Sequence, residues 1–226
     1  MIRSAVSRKA WQHHFFYRKE VWKTTWKFKL AALLLLVIAF ASTRKIWSLK
    51  LAQSLVCAET SGPSDALLLE NFDSDYLVFE RAEALRRAAV APRALVPMIG
   101  VREEDLSNSY QLVFAKAMAR MARLPDIEPV AVPNRDEPIS LNAARQIRDF
   151  LIQRGIRSVI VVAPGFRSRR SALIYNTVFI PSGIRVGCVP TMGTTTPENW
   201  TNTWHGIQEV MEQFFKLQYY RFYAIW

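Results

Sequence analysis

Residues 158–189 read SVIVVAPGFRSRRSALIYNTVFIPSGIRVGCV, and the fold turns on this stretch. Ser158 to Ala163 is a branched apolar run closed by Pro164, which is the pattern of a short buried strand. Arg167 to Phe179 then shows helical spacing, Pro181 and Gly183 stop it, and Ile184 to Val189 is a second branched run. Strand, helix and strand in this order form a parallel crossover unit. Working outward, the same alternation returns. Further strands are expected at Ala66 to Leu69, Ala94 to Val96 and Glu128 to Val132. Further helices are expected at Asp75 to Ala89, Ser109 to Leu124, Leu141 to Arg154 and Thr203 to Tyr220, with Gly155 as another stop. Strict alternation predicts an α/β fold, a Rossmann-like doubly wound domain on a mainly parallel five-stranded sheet over residues 65–226. Residues 50–64 read as a linker.

Composition bounds the rest. The chain has 226 residues, half of them hydrophobic, with 8 Gly, 11 Pro and 2 Cys, so collagen, wholesale disorder and a disulfide scaffold are excluded. The formal charge of +11 invites a nucleic-acid reading. Its placement argues otherwise. Eleven Lys or Arg and the single acid Glu20 fall in residues 1–50, leaving nineteen basic and eighteen acidic groups in the other 176 residues. A groove tracking phosphates needs its excess on the folded part, and that part is almost neutral. No nucleic-acid partner is expected.

The basic segment surrounds LAALLLLVIAFAST, residues 30–43. A bilayer of ~30 Å asks for about 20 apolar residues, so the run spans only if Lys29 and Arg44 snorkel and the helix extends from Phe28 to Leu49, anchored by Trp26 and Trp47. One transmembrane helix at 28–49 is therefore expected, with the lipid bilayer as a partner. Ala39-Phe40-Ala41 resembles a signal-peptidase site, but the charged segment before it is far longer than a usual n-region, so a retained anchor is expected. Ser54 to Cys57 only faintly matches a lipoprotein box. Eight basic residues precede the run and three follow it, which places the N-terminus in the cytoplasm and the domain outside it. In the basic tail, residues 1–27, Trp11, Phe15, Trp22 and Trp26 share one helical face, an interfacial pattern spoiled by Arg18 and Lys29. Cys57 and Cys188 could pair in that compartment, but Cys188 falls in a strand expected to be buried and no disulfide is expected.

In open parallel sheets ligands sit beyond the carboxyl ends of the strands. The loops there are Glu70 to Ser74, Pro97 to Asn108, Pro133 to Ser140, Pro164 to Arg170 and Pro190 to Trp200. They hold no Gly-rich phosphate fingerprint, Walker motif or nucleophile elbow. Only His205 remains in the domain as a histidine, so no metal site is expected. Pro164 to Ser171 is the most loaded loop: Arg167, Arg169 and Arg170 open a helix, where free N–H groups and the dipole already favour anions. Ion pairing of these arginines with Glu70, Asp136 or Glu137 is the structural alternative. Ser140 is expected to cap the helix after the third strand. Glu70 and Glu137 are candidate general bases, since a neighbouring arginine lowers a carboxyl pKa and disfavours an acid role. Ser168 and Asn142 complete the candidate ligand contacts, and His205 could reach a ligand from the last loop.

These residues also carry a resemblance. Glu137-Pro-x-Ser140-x-Asn142, the strand Val159 to Val162 running into Pro164-x-Phe166-x-Ser168-Arg169-Arg170-Ser171, then Gly183-Ile184-x-Val186, Trp200, Glu212 and Lys216-Leu217-x-Tyr219-Tyr220 resemble the YdcF/SanA/ElyC-like domain family of unknown function over residues 65–220. The resemblance implies a bacterial protein held in the inner membrane with a periplasmic domain. It also implies a role in envelope integrity and peptidoglycan or lipid-carrier metabolism; together with the arginine loop, the expectation is an anionic phosphate or acidic-sugar ligand in cell-envelope or surface-polysaccharide metabolism, with a hydrolase or transferase acting on a lipid-linked intermediate, or a non-catalytic scaffold, as the alternatives. Two departures bear on it. Phe166-Arg167 stands where many relatives have Phe-His, and Leu69-Glu70-Asn71-Phe72 replaces a Gly-rich turn. A cytosolic relative is thought to bind S-adenosylmethionine; a domain outside the cytoplasm would not meet it, so no cofactor is expected. The C-terminal aromatics Trp204, Phe214, Phe215, Tyr219, Tyr220, Phe222, Tyr223 and Trp226 are expected to pack the last helix and, from Tyr219 on, to meet a membrane or a biosynthetic protein partner.

Overall fold

The computed structural model describes residues 25–60, 62–72, 75–124 and 126–225. The chain divides into two compact units, Met1–Lys45 and Ile46–Trp226. The tail residues Trp11, Phe15, Arg18 and Trp22, together with Trp226, lie outside the described residues.

In the first unit α1 spans Trp26–Ser42 and buries no residue; Leu33 to Ile38 and Phe40 are all exposed. Thr25 caps its start by accepting the Phe28 N–H. Its end is set by Thr43, whose N–H and hydroxyl both turn back to the Ala39 carbonyl, at 3.1 and 2.8 Å. The helix α2 follows over Arg44–Ser54. The one helix expected at 28–49 is thus two. Among the described residues no single helix is long and apolar enough to cross a membrane, although α1 and α2 together have the length and composition.

The second unit is built on five strands: β1 Ala66–Leu69, β2 Arg93–Ile99, β3 Glu128–Val132, β4 Ser158–Pro164 and β5 Arg185–Thr191. All pairings are parallel and the order is β3-β2-β1-β4-β5. Strands covered on both faces read as unbroken apolar runs, and every residue of β1 is buried. Ala66 and Leu68 join the core under α5 (Ile139–Gln153) and α6 (Gly165–Phe179). Leu67 and Leu69 point the other way, into the core under α3 (Tyr76–Arg87) and α4 (Tyr110–Met121). The chain therefore winds outward from β1 along one face and returns along the other.

Capping follows local chemistry. Asp75 accepts from Leu77 N–H and Ser109 from Leu112 N–H, while Thr203 accepts from Gly206 N–H at the start of α7 (Trp204–Tyr219). Gly155 and Gly183 close α5 and α6 with left-handed backbone, φ +67° and +76°. Ser140 does not cap. Its helix begins at Ile139, whose side chain packs on the core, so Pro138 takes the cap position and Ser140 falls inside the first turn. The Glu137 carboxylate accepts the Ile139 N–H instead, at 3.3 Å.

The described residues of 50–64, namely 50–60 and 62–64, form a strap along the domain. From Ile46 onward the chain belongs to the domain: Ala52 and Leu55 share a core with Phe166, Trp200, Val210 and Leu217, and the Trp200 indole donates to Ser48 O at 3.1 Å. Cys57 and Cys188 form a disulfide, Cα–Cα 6.4 Å, against the expectation of two thiols. Burial of Cys188 within β5 did not prevent pairing, because β5 is an edge strand and the strap lies along it. Beyond α7 one π turn, Tyr220–Ala224, leads to Ile225, the last described residue. Tyr220 is buried in the core, while Phe222 and Tyr223 are exposed.

Candidate functional site

The sheet order reverses between β1 and β4, so the crevice of an open parallel sheet is expected beyond their carboxyl ends. A pocket of about 550 Å³ occupies this side of the sheet. Asn71 and Phe72 reach it from the loop after β1, Ile99 from the end of β2, Arg135 and Glu137 from the loop after β3, and Arg167 and Arg170 from α6. Tyr110, Gln111 and Phe114 of α4 wall one part, and Lys216, Tyr219 and Tyr220 another.

Arg170 is 7% exposed, and its Nε has no hydrogen-bond partner among the described residues. Burial lowers its pKa from the ordinary arginine value and the Arg167 charge acts the same way, while Glu70 opposes both. Its guanidinium lies 5.6 Å from the Tyr220 ring centroid, a cation–π contact that orients it. Glu70 follows β1, is 2% exposed and does not line the pocket; its carboxylate accepts a hydrogen bond from the Ser171 hydroxyl. Tyr175 is buried beside these charges with a hydroxyl that has no partner among the described residues. Desolvation pushes its pKa well above the ordinary value, and the Glu70 charge adds to the shift. Two arginines thus face one buried carboxylate, and a charge this deep is tolerated only when paired or when it meets a ligand's opposite charge.

The other expected contacts divide. Ser140 and Glu137 are on the pocket wall. Asn142 does not line it; its amide donates to Asp136 O at 3.0 Å and its oxygen accepts from Arg145, so it shapes the loop. Ser168 is fully buried behind the arginines, accepting from Cys57 N–H and donating to Gly165 O. Arg169 is exposed and does not line the pocket either, because a helix sends its side chain to another face from Arg167 and Arg170. His205 is exposed in a separate shallow pocket that shares Arg167, with Glu209 and Glu212. There burial raises the Glu209 pKa, opposed by Arg167.

Arg135 and Tyr110 have no role in the sequence reading, and Lys216 enters it only within the resemblance motif. Arg135 carries a legible signal, standing in a loop at a strand's carboxyl end. Its position depends on Gly100, φ +76°: a Cβ there would lie 2.6 Å from Arg135 Cδ. Lys216 pairs with Glu212 one helical turn earlier and reads as a surface pair in sequence. Among the described residues no group of His, Cys, Asp or Glu could hold a metal ion. Comparison with protein-family models, curated proteins and solved structures finds no match to this chain.

Proposed function

We propose that the chain is a membrane-anchored, extracytoplasmic domain whose pocket binds an anionic ligand, a phosphate or acidic sugar, in bacterial cell-envelope or surface-polysaccharide metabolism. One observation carries the reading: Arg170, almost wholly buried and with an Nε that has no hydrogen-bond partner among the described residues, lines one cavity together with Arg167 and Arg135. Guanidinium groups match carboxylate and phosphate oxygens, and a desolvated one gains most from such a partner. The disulfide supports residence outside the reducing cytosol. The exposed apolar helix α1 and the basic residues before it support a membrane anchor. The YdcF/SanA/ElyC-like motifs supply the envelope context and the lipid-linked intermediate as a ligand.

Direct binding tests this. The full chain in detergent micelles, titrated with undecaprenyl-type phosphates, is expected to bind saturably, and Arg170→Gln to lose most of that affinity. Equal binding by wild type and Arg170→Gln would overturn the proposal. A second reading, hydrolase or transferase, is favoured by Glu137 standing on the same wall as Ser140 and the arginines. It requires turnover of the phosphate ligand, lost in Glu137→Gln with binding retained. Saturable binding without turnover leaves the scaffold reading.

A further inference from the structure

The first turns of α6 carry both buried-side arginines, and they are held from behind by the strap rather than by the helix alone. Cys57 N–H donates to Ser168 Oγ at 2.9 Å, and that hydroxyl donates to Gly165 O at 2.5 Å. Arg169 N–H donates to Leu55 O at 3.0 Å, so the turn takes an acceptor from the strap. On the far side of the disulfide, Thr60 N–H donates to Cys188 O and Cys188 N–H to Thr60 Oγ1, each at 2.9 Å. Gly165 closes the arrangement: a Cβ there would lie 2.3 Å from Met192 Sδ and 3.0 Å from Thr191 O. At 100° per residue, positions 167 and 170 share one face of the helix, while 168 and 169 face elsewhere. The strap therefore grips the turn on the side away from the pocket.

We infer that the strap is a component of the anion site: the Cys57–Cys188 disulfide positions Arg167 and Arg170 through Ser168, and the pocket is complete only in the oxidised protein. Ser168 and the two cysteines are positioning residues. The inference rests on the anion-binding reading of the pocket. Oxidation forms the S–S bond as the two thiols give two protons and two electrons to a disulfide-bearing oxidoreductase or oxidised glutathione, which becomes the thiol form. Dithiothreitol reverses the step and is itself oxidised to its cyclic disulfide. A chain made in a reducing compartment would carry an unpinned arginine turn and gain its site only after oxidation. The competing account is a clasp that merely stabilises an edge strand. It predicts a uniform loss of stability and no selective effect on the turn.

The experiment uses the full chain in detergent micelles, inorganic phosphate as probe and amide hydrogen exchange as a second readout. Reduction is expected to weaken phosphate binding about tenfold or more, equivalent to ~1.4 kcal/mol. It is also expected to speed exchange at Arg169 and Arg170 while β1 and β4 stay protected, and oxidised glutathione should restore both. The double variant Cys57→Ser/Cys188→Ser should match the reduced protein. Ser168→Ala should weaken binding with the disulfide intact, whereas Asp65→Ala, at the opposite end of the strands, should lose stability and keep its phosphate affinity. Unchanged affinity and unchanged exchange on reduction would overturn the inference, as would a uniform rise in exchange across the domain with no excess at residues 165–170. If the oxidised chain binds no phosphate, the anion reading fails, and exchange at residues 165–170 alone decides the strap's role.

Discussion

At the residue scale, burial rather than charge count separates the arginines. Arg169 is exposed on another face of the helix, and Arg170 is desolvated beside Glu70 and Tyr220. Glu70→Gln keeps an acceptor for Ser171 and removes a negative charge, so phosphate affinity should rise by about a factor of three to ten if Glu70 only balances charge. Calorimetric titration checks this, and a loss of binding would show that the carboxylate holds the arginines in place. Gly100→Ala should both strain a left-handed position and push Arg135 from the pocket mouth, costing about 1 kcal/mol of stability and weakening binding. Denaturant midpoints together with titration would reveal both effects. Asp65 gives the acid limb. Its carboxylate accepts the backbone N–H groups of Arg157 and Ser158, each at 2.9 Å, which with the Ser158 hydroxyl hold its pKa below the ordinary 3.8. A depressed carboxyl contributes stability above its ordinary pKa and loses it as pH falls through the lower folded value. Asp65→Asn should therefore flatten the fall in melting temperature between about pH 5 and about pH 2. An unchanged acid slope would assign that limb to other groups.

At the element scale, strand and helix periods were legible because each run is short, apolar and bounded by Gly, Pro or a capping residue. The expected β1 and β3 coincide with the observed ones, whereas β2 extends to Arg93–Ile99 because pairing with its two neighbours outweighs the local signal of Pro97. The helix after β3 starts early for a similar reason, since burying Ile139 outweighs the capping preference of Ser140. The strap was not legible. Nothing in residues 50–64 alone shows that Leu55 meets Phe166 and Trp200, because that core draws on distant parts of the chain. Removing the disulfide, whose cysteines are 131 positions apart, should cost about 2–5 kcal/mol, measured as a shift in denaturant midpoint under oxidising conditions. Gly206→Ala should cost about 1–3 kcal/mol by thermal melting, since a Cβ at the start of α7 would lie 2.4 Å from Trp200 O.

At the scale of the whole molecule, the domain's charge is nearly balanced, and Arg135, Arg167, Arg170 and Lys216 meet where the loop after β3, the start of α6 and the end of α7 come together. A C-terminal alkaline phosphatase fusion should be active in bacterial cells and a β-galactosidase fusion inactive; the reverse pattern would refute the proposed orientation. The sequence by itself determined the α/β alternation, the candidate site beyond the strands' carboxyl ends and the cluster of arginines at 167–170, because strand pattern, helix stops and helix-terminal charge are local properties. Tertiary structure alone decided which arginine is desolvated, that Tyr110 and Lys216 complete one pocket, and that Cys57 reaches Cys188 to brace it. Those facts depend on contacts between residues far apart in the chain, which follow from packing rather than from any local period.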